Sequence, residues 1–333
     1  MKAKILALLR EKKTYVSGQQ LSESFGVSRT AVWKAVNSLK NEGYPIEAVT
    51  NKGYLLRESE EIYSQNDIAS RLNTKWAGQT LYFYDVVGST NAEIKRLAEE
   101  GAPHGTVAVA DMQTAGRGRR GRSWDSPANT NIYFSILLRP GFAPGRASML
   151  TLVIAHAVAK CFRETLGLSD IGIKWPNDIV MDGKKICGIL TEMSVEQDYI
   201  QYVVIGVGIN VRSQIFPAEI ADRAIALDEV IAKHAQSAAR VNRSVLLADI
   251  LRYFEEDYEN FLQTCSMKPL QDSYDKLLVN KDREVCVQDP AGEYKGTARG
   301  ITETGELIVE MPDGSRREIY AGEVSVRGIY GYV

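Results

Sequence analysis

The sequence predicts an α+β chain of several domains: an N-terminal winged helix-turn-helix, a central mixed sheet with helices, and a small C-terminal β-barrel. Three observations predict it. Two short helical segments meet at a glycine and are followed by a hairpin within the first 57 residues. Strand-like and helix-like periodicities then alternate through the middle of the chain. Short strands separated by strong turn signals fill the last part. At 333 residues the chain is too long for one ordinary domain, and its 44% hydrophobic and 25% charged composition excludes disordered, collagen-like and coiled-coil classes. The division is expected at 1–60, 66–270 and 280–333.

In the first part, Ile5, Leu6, Leu8 and Leu9 indicate an opening helix. Ser17 caps a second, short helix that ends in a turn at Gly26, and Ser28 caps a third running from Arg29 to about Lys40. On that third helix Ala31, Val32, Ala35, Val36 and Leu39 make an inward stripe. Arg29, Thr30, Trp33, Lys34 and Asn37 fall on the opposite face. Asn51-Lys52-Gly53 turns a hairpin across 46–56. A helix-turn-helix with a hairpin is the winged-helix pattern. Residues 1–57 carry 10 Lys/Arg against 4 Asp/Glu, a net of +6, whereas the remainder carries −8, so the chain's −2 averages unlike parts. Ser28, Arg29, Thr30, Trp33 and Lys34 are therefore the expected DNA-facing residues of a recognition helix, with Lys52 on phosphate at the wing tip. The plainer alternative is a small helical interaction module with a solvated face. One such head binds weakly, so a dimer reading two half-sites is expected.

Residues 58–66 are polar and acidic and read as a linker. Strands are expected over 81–85, 107–111, 132–138, 171–174, 185–193 and 202–211, with helices over 90–100 and 146–166. One loop differs from ordinary connections. Thr114-Ala115-Gly116-Arg117-Gly118-Arg119-Arg120-Gly121-Arg122-Ser123-Trp124 contains four arginines and three glycines. Glycine lets backbone approach a ligand, and arginine offers forked donors to phosphate or carboxylate. The spacing matches neither a P-loop nor a dinucleotide fingerprint. A nucleic-acid tether would also be Arg- and Gly-rich, but this segment joins two strands inside an acidic domain. A lid that orders on an anionic ligand, hinged at Gly116, Gly118 and Gly121, fits better.

Polar residues at strand ends mark further candidates. These are Gly88-Ser89-Thr90-Asn91, Lys174-Trp175-Pro176-Asn177-Asp178, Lys185-Ile186-Cys187-Gly188-Ile189-Leu190, and the strand segment Gly206-Val207-Gly208-Ile209-Asn210. Each alone has an ordinary structural explanation. Strands over 284–287, 294–301, 307–311 and 316–326 form the C-terminal barrel, separated by Asp289-Pro290-Ala291-Gly292, Thr304-Gly305 and Pro312-Asp313-Gly314.

Several classes are excluded. Cys161, Cys187, Cys265 and Cys286 are scattered, without the spacing of a zinc site or disulfide framework. His104, His156 and His234 form no metal-binding pair. The N-terminus is too short in apolar residues and too charged for a signal peptide, and no apolar run reaches the roughly 18 residues of a membrane span. A cytoplasmic protein with no membrane partner is expected.

Together, the winged head, Gly88–Asn91, Gln113, the Gly116–Arg122 loop with Trp124, Lys174–Asp178, Lys185–Gly188 and Gly206–Asn210 resemble the biotin protein ligase family. The likeness is to its bifunctional members, which also repress biotin synthesis, and it covers nearly the whole chain. It implies a central sheet like that of class II aminoacyl-tRNA synthetases and an SH3-like C-terminal barrel. It implies biotin, ATP and Mg²⁺ as substrates and cofactor, and two reactions: formation of biotinyl-5′-adenylate, then acylation of one lysine of a biotin carboxyl carrier protein, from acetyl-CoA carboxylase or another biotin-dependent carboxylase. Transferred position by position, Ser89, Thr90, Asn91, Gln113, Gly116, Arg117, Gly118, Arg119, Lys185 and Gly188 would surround biotin. Arg122, Trp124, Lys174, Asn177, Asp178 and Asn210 would serve the nucleotide, Asp178 through magnesium. Lys185 and Arg119 would be catalytic. Operator DNA and a ligand-bound homodimer complete the implied partners, with the adenylate as corepressor. The alternative is a biotin-sensing transcription factor without ligase activity. The C-terminal barrel is either a platform for the acceptor or ATP, or a passive module.

Overall fold

The computed structural model describes residues 1–57, 61–234, 240–289 and 292–320, together with the backbone of a strand at 325–328. The chain divides into two units, Met1–Asn73 with Asn242–Ala248, and Thr74–Val241 with Asp249–Val333.

The first unit is built from α1 (Lys2–Lys12), α2 (Gly18–Phe25), α3 (Arg29–Asn41), β1 (Ile46–Val49), β2 (Gly53–Leu56) and α4 (Gln65–Ala69). Local signals set these elements. Ser17 and Gln20 form a reciprocal capping box on α2, with Gln20 N–H donating to Ser17 Oγ at 3.1 Å and Ser17 N–H to Gln20 Oε1 at 2.9 Å. Gly26 ends α2 at φ 64°, a left-handed conformation that favours glycine. Ser28 Oγ accepts from Ala31 N–H at 3.2 Å and starts α3. The core joins Ile5, Leu6 and Leu9 to Leu21, Val32, Val36 and Leu39, and Ile46 closes it from the hairpin.

Part of the expected linker is structured. Glu58, Ser59 and Glu60 lie outside the described residues, but Ser64 Oγ caps α4 by accepting from Asp67 N–H at 3.2 Å. Glu61 accepts from Arg243 Nε at 3.0 Å, with both side chains largely buried. The buried Asp67 carboxylate is gripped by Arg10 and by Arg71 Nε at 3.0 Å. A buried carboxylate needs such partners, so these acidic residues hold structure rather than only solvating a connection.

In the second unit follow β3 (Leu81–Val87), α5 (Thr90–Glu99), β4 (Val107–Gln113), β5 (Ile132–Leu138), α6 (Met149–Leu166), β6 (Gly172–Lys174), β7 (Asp178–Met181), β8 (Lys184–Glu196) and β9 (Tyr199–Ile209). Next come α7 (Leu227–His234), α8 (Arg243–Leu262, whose first turns belong to the first unit) and α9 (Gln271–Leu277). The seven-stranded sheet has the order β3-β4-β5-β9-β8-β7-β6. Only β3 and β4 are parallel; every other pair is antiparallel. Central β5 is buried on both faces, which explains its unbroken run of large apolar residues around Ser135. The long apolar stretch becomes α6, which starts at Met149 because Pro144–Arg146 forms a separate 3₁₀ turn. No helix among the described residues is long and apolar enough to cross a membrane.

The C-terminal part has β10 (Glu284–Asp289), β11 (Gly292–Ile301), β12 (Leu307–Glu310), β13 (Arg316–Ile319) and β14 (Ser325–Gly328), in the order β13-β12-β11-β10-β14, all antiparallel. The single strand expected over 316–326 is thus two, with 321–324 outside the described residues. Loops of this sheet reach back to the central one. Trp175 Nε1 donates to Gly305 O at 3.1 Å, and Val279 N–H donates to Ile173 O at 3.0 Å.

Candidate active site and nucleic-acid face

Two residue pairs across β8 and β9 make the floor of a cleft. Gly188 of β8 lies opposite Gly208 of β9, and Leu190 opposite Gly206. A Cβ at Gly208 would come within 2.5 Å of Trp124 Nε1, one at Gly188 within 2.7 Å of Trp124 Cζ3, and one at Gly206 within 2.1 Å of Asn91 Oδ1. The three glycines therefore seat an indole and an amide against bare backbone, a close approach that no side chain would permit.

The wall on one side comes from the start of α5. Ser89, Thr90 and Asn91 are buried there. Thr90 N–H donates to Gln113 Oε1 at 2.9 Å, and Gln113 Nε2 donates to Ser126 Oγ at 3.0 Å. Ser135 Oγ, from the middle of β5, lies 2.7 Å from Thr90 Oγ1 and 2.5 Å from Asn91 Oδ1. Asn91 Nδ2 donates to Glu192 Oε2 at 2.7 Å, and Lys95 Nζ reaches Glu192 Oε1 at 2.6 Å. Orientation of these amides is thus fixed by a continuous network.

The opposite wall is cationic. The Arg-Gly loop folds back on itself: Gly118 N–H donates to Arg122 O at 2.8 Å, and Trp124 N–H to Gly116 O at 2.9 Å. Of its three glycines only Gly121, at φ 72°, uses the left-handed region. Gly116 serves close approach, since a Cβ there would lie 2.4 Å from Trp124 O. Arg119 Nη1 donates to Asn177 Oδ1 at 2.8 Å. Burial pulls the Arg119 guanidinium below its usual value, the Asp178 charge opposes that, and Arg120 adds to it. Asn177 Nδ2 donates to Asp178 Oδ1 at 3.0 Å and to Ile189 O at 3.2 Å. Lys185 Nζ lies 2.5 Å from Asp178 Oδ1 and 5.2 Å from the Trp124 ring centroid. Beneath it, burial pushes the Cys187 thiol well up, which leaves no thiolate nucleophile. All four cysteines are free.

Of the residues singled out in the sequence, Ser89, Thr90, Asn91, Gln113, Arg117, Gly118, Arg119, Trp124, Asn177, Lys185 and Gly188 line one cleft. Asp178 backs it through Lys185. Gly116, Arg122, Lys174 and Asn210 do not line it. Arg122 closes the loop by its backbone, and Lys174 is buried in the β6–β7 register opposite Asp178. Asn210 supports the Lys185 backbone, with Nδ2 3.5 Å from Lys185 O. Ile189, Leu190, Gly206, Val207 and Gly208 line the cleft as well. The Lys185–Leu190 segment of β8 and the alternating glycines of β9 were the signals for them; Ser135 and Glu192 gave none.

In the first unit, Ser28, Arg29, Thr30 and Lys34 are exposed on α3, and Trp33 is 56% exposed. Lys52 is exposed at the hairpin turn, its ammonium 5.8 Å from the Tyr15 ring centroid. Exposed cations thus occupy both the helix face and the turn of the hairpin.

The model of the biotin/lipoate A/B protein ligase family matches residues 83–210, a helix-turn-helix domain matches 2–55, and the biotin protein ligase C-terminal domain matches 282–327. The chain is similar to the bifunctional ligase/repressor BirA of Bacillus subtilis, 37% identical over 314 residues and 94% of each chain. It is similar to that of Escherichia coli, 32% identical over 97% of this chain and 96% of that one. A solved biotin protein ligase from Aquifex aeolicus, in complex with biotin and ATP, superposes with a TM-score of 0.64 at 31% identity, covering 75% of this chain and 99% of that one. With full-length relatives above 30% identity and all three parts matched, the chain belongs to the biotin protein ligase family.

Proposed function

We propose that this chain is an ATP-dependent biotin protein ligase and a DNA-binding repressor of biotin genes. The observation that carries the ligase reading is the convergence of Lys185, Arg117 and Arg119 on a cleft whose other wall is the fixed amide and hydroxyl network of Thr90, Asn91 and Gln113. A neutral bicyclic head with ureido donors and acceptors suits that network. The carboxylate suits the cations.

In the first half-reaction a biotin carboxylate oxygen attacks the α-phosphorus of ATP, the new P–O bond forms, and the bond to pyrophosphate breaks. Two anions must meet. One cation about 4 Å away is worth on the order of 4 kcal/mol at an effective dielectric near 20. Lys185, held by Asp178, and Arg119, held by Asn177, are pre-oriented to supply that and to stabilise charge on the phosphoryl oxygens. Trp124, Asn177 and Asp178 are proposed for the nucleotide side. Asp178, a hard oxygen donor beside the cleft, would hold magnesium, which would neutralise phosphate charge when bound. The Arg-Gly loop excludes water from the anhydride.

In the second half-reaction the adenylate acylates a lysine of a biotin carboxyl carrier protein. Residues 1–60 are assigned to operator binding through Arg29, Thr30, Trp33, Lys34 and Lys52, 66–270 to catalysis, and 280–333 to the C-terminal module. The adenylate acts as corepressor by favouring a homodimer that spans two half-sites, which requires different adenylate affinities of monomer and dimer. A biotin sensor without ligase activity would need no phosphate-binding cations, and the relatives above are all ligases. Biotin-dependent pyrophosphate release from MgATP, followed by labelling of a carrier domain, tests the ligase. Operator binding with and without biotin plus MgATP tests the repressor.

A further inference from the structure

A second cleft adjoins the first, and Arg119 and Ile189 belong to the walls of both. Beyond them it is bounded by Pro176, Met193, Ser148 and Glu192. We propose that this second cleft admits the acceptor lysine side chain, with Glu192 recognising its ammonium. The proposal rests on the ligase reading above and specifies how the second substrate enters.

Three features support it. The two clefts share walls, so a side chain in the second can reach whatever is bound in the first. Pro176, Ile189 and the half-exposed Met193 give an apolar lining for a four-carbon stem. Glu192 is a half-buried carboxylate already oriented by Lys95 and Asn91, so it is pre-organised toward a cation.

The chemistry limits what Glu192 does. A carboxylate favours the charged form of a nearby amine, so it recognises the lysine rather than activating it. Desolvation against the apolar lining and the positive charges of Arg119 and of Lys95, which is paired to Glu192, act the other way and favour the neutral amine. The neutral Nζ then attacks the acyl carbon. A C–N bond forms, the acyl C–O bond to phosphate breaks, AMP leaves with the electron pair, and the proton lost from nitrogen passes to water. Glu192 is thus a positioning residue for the acceptor.

The test uses the full-length chain, loaded with biotin and MgATP, and two amines: a biotin carrier domain and hydroxylamine, which needs no lysine cleft. Ser148 is exposed and makes no cap bond on α6, so Ser148→Trp fills the cleft from its rim. Misplacing a reacting group by about 1 Å costs on the order of hundredfold, so carrier transfer is expected to fall about hundredfold while pyrophosphate release and hydroxamate formation stay within about twofold. Glu192→Gln is expected to raise the carrier KM about tenfold, as loss of a charge-assisted contact does, and to move the pH midpoint of single-turnover transfer downward. Unchanged carrier transfer in Ser148→Trp would overturn the proposal. So would an equal fall with both amines, or a Glu192→Gln effect that appears in biotin affinity and not in carrier KM. Failure of the unaltered chain to release pyrophosphate would overturn the ligase reading itself, a separate outcome.

Discussion

The Lys185 ammonium stands 2.5 Å from the Asp178 carboxylate, joining the first residues of β8 to the start of β7. Asp178 is almost buried, and Asn177 also donates to it. A lysine held in this way is aimed before any substrate arrives. It loses little freedom on binding and needs no reorganisation when charge develops.

Lys185→Ala removes the cation from that arrangement. Pyrophosphate release is expected to drop by about 10²–10³, the scale of losing one pre-organised electrostatic group. The variant is expected to fold, at a cost of about 3 kcal/mol or less, because Asp178 keeps its Asn177 contact. Stopped-flow pyrophosphate detection and urea unfolding check the two parts.

Arg119→Gly tests the loop as a retaining device. Arg119 bridges the loop to Asn177 across the cleft. Losing a hydrogen bond made by a charged group costs about 1.5–3 kcal/mol, so the adenylate is expected to dissociate about ten- to hundredfold faster. Retention of labelled adenylate through gel filtration reports this; retention equal to wild type would count against it.

Gly208→Ala tests the glycine floor. The added Cβ would sit 2.5 Å from the Trp124 ring, so the indole must move. Overpacking of this kind costs about 1–3 kcal/mol. The paired variant Gly208→Ala with Trp124→Ala is expected to recover part of that loss, and thermal melts of the four-member cycle measure it. Additive effects would show that Trp124 and Gly208 do not interact.

Lys34→Ala tests the DNA-facing helix. A phosphate contact contributes about one unit to the slope of log affinity against log salt, so the slope is expected to become shallower by about one for each head. Thr30→Ala, by contrast, is expected to leave the slope unchanged.

The head was legible because its signals are local. Ser17, Gln20, Gly26 and Ser28 each act within a few residues, and the structure places a cap or turn at each. The cleft was legible in its motifs but not in its closure. Strands β6 and β7 are three and four residues long, too short for periodicity to separate them across Pro176. Helix α8 had no expectation attached to it. Glu255 on that helix accepts from the backbone N–H groups of Lys75, Trp76 and Ala77 at 2.7–2.9 Å, a pairing between segments far apart in sequence. The same limit applies to Glu192 with Asn91 and to Ser135 with Thr90. Tertiary hydrogen bonds leave no period in a sequence, whereas caps and turn residues do.

Pyrophosphate release in the presence of MgATP, measured with and without biotin in the unaltered chain and in Lys185→Ala, tests the central claim most directly. Biotin-dependent release from the unaltered chain, nearly abolished in Lys185→Ala, is the predicted result. No biotin-dependent release, or release from Lys185→Ala at the unaltered rate, would contradict it.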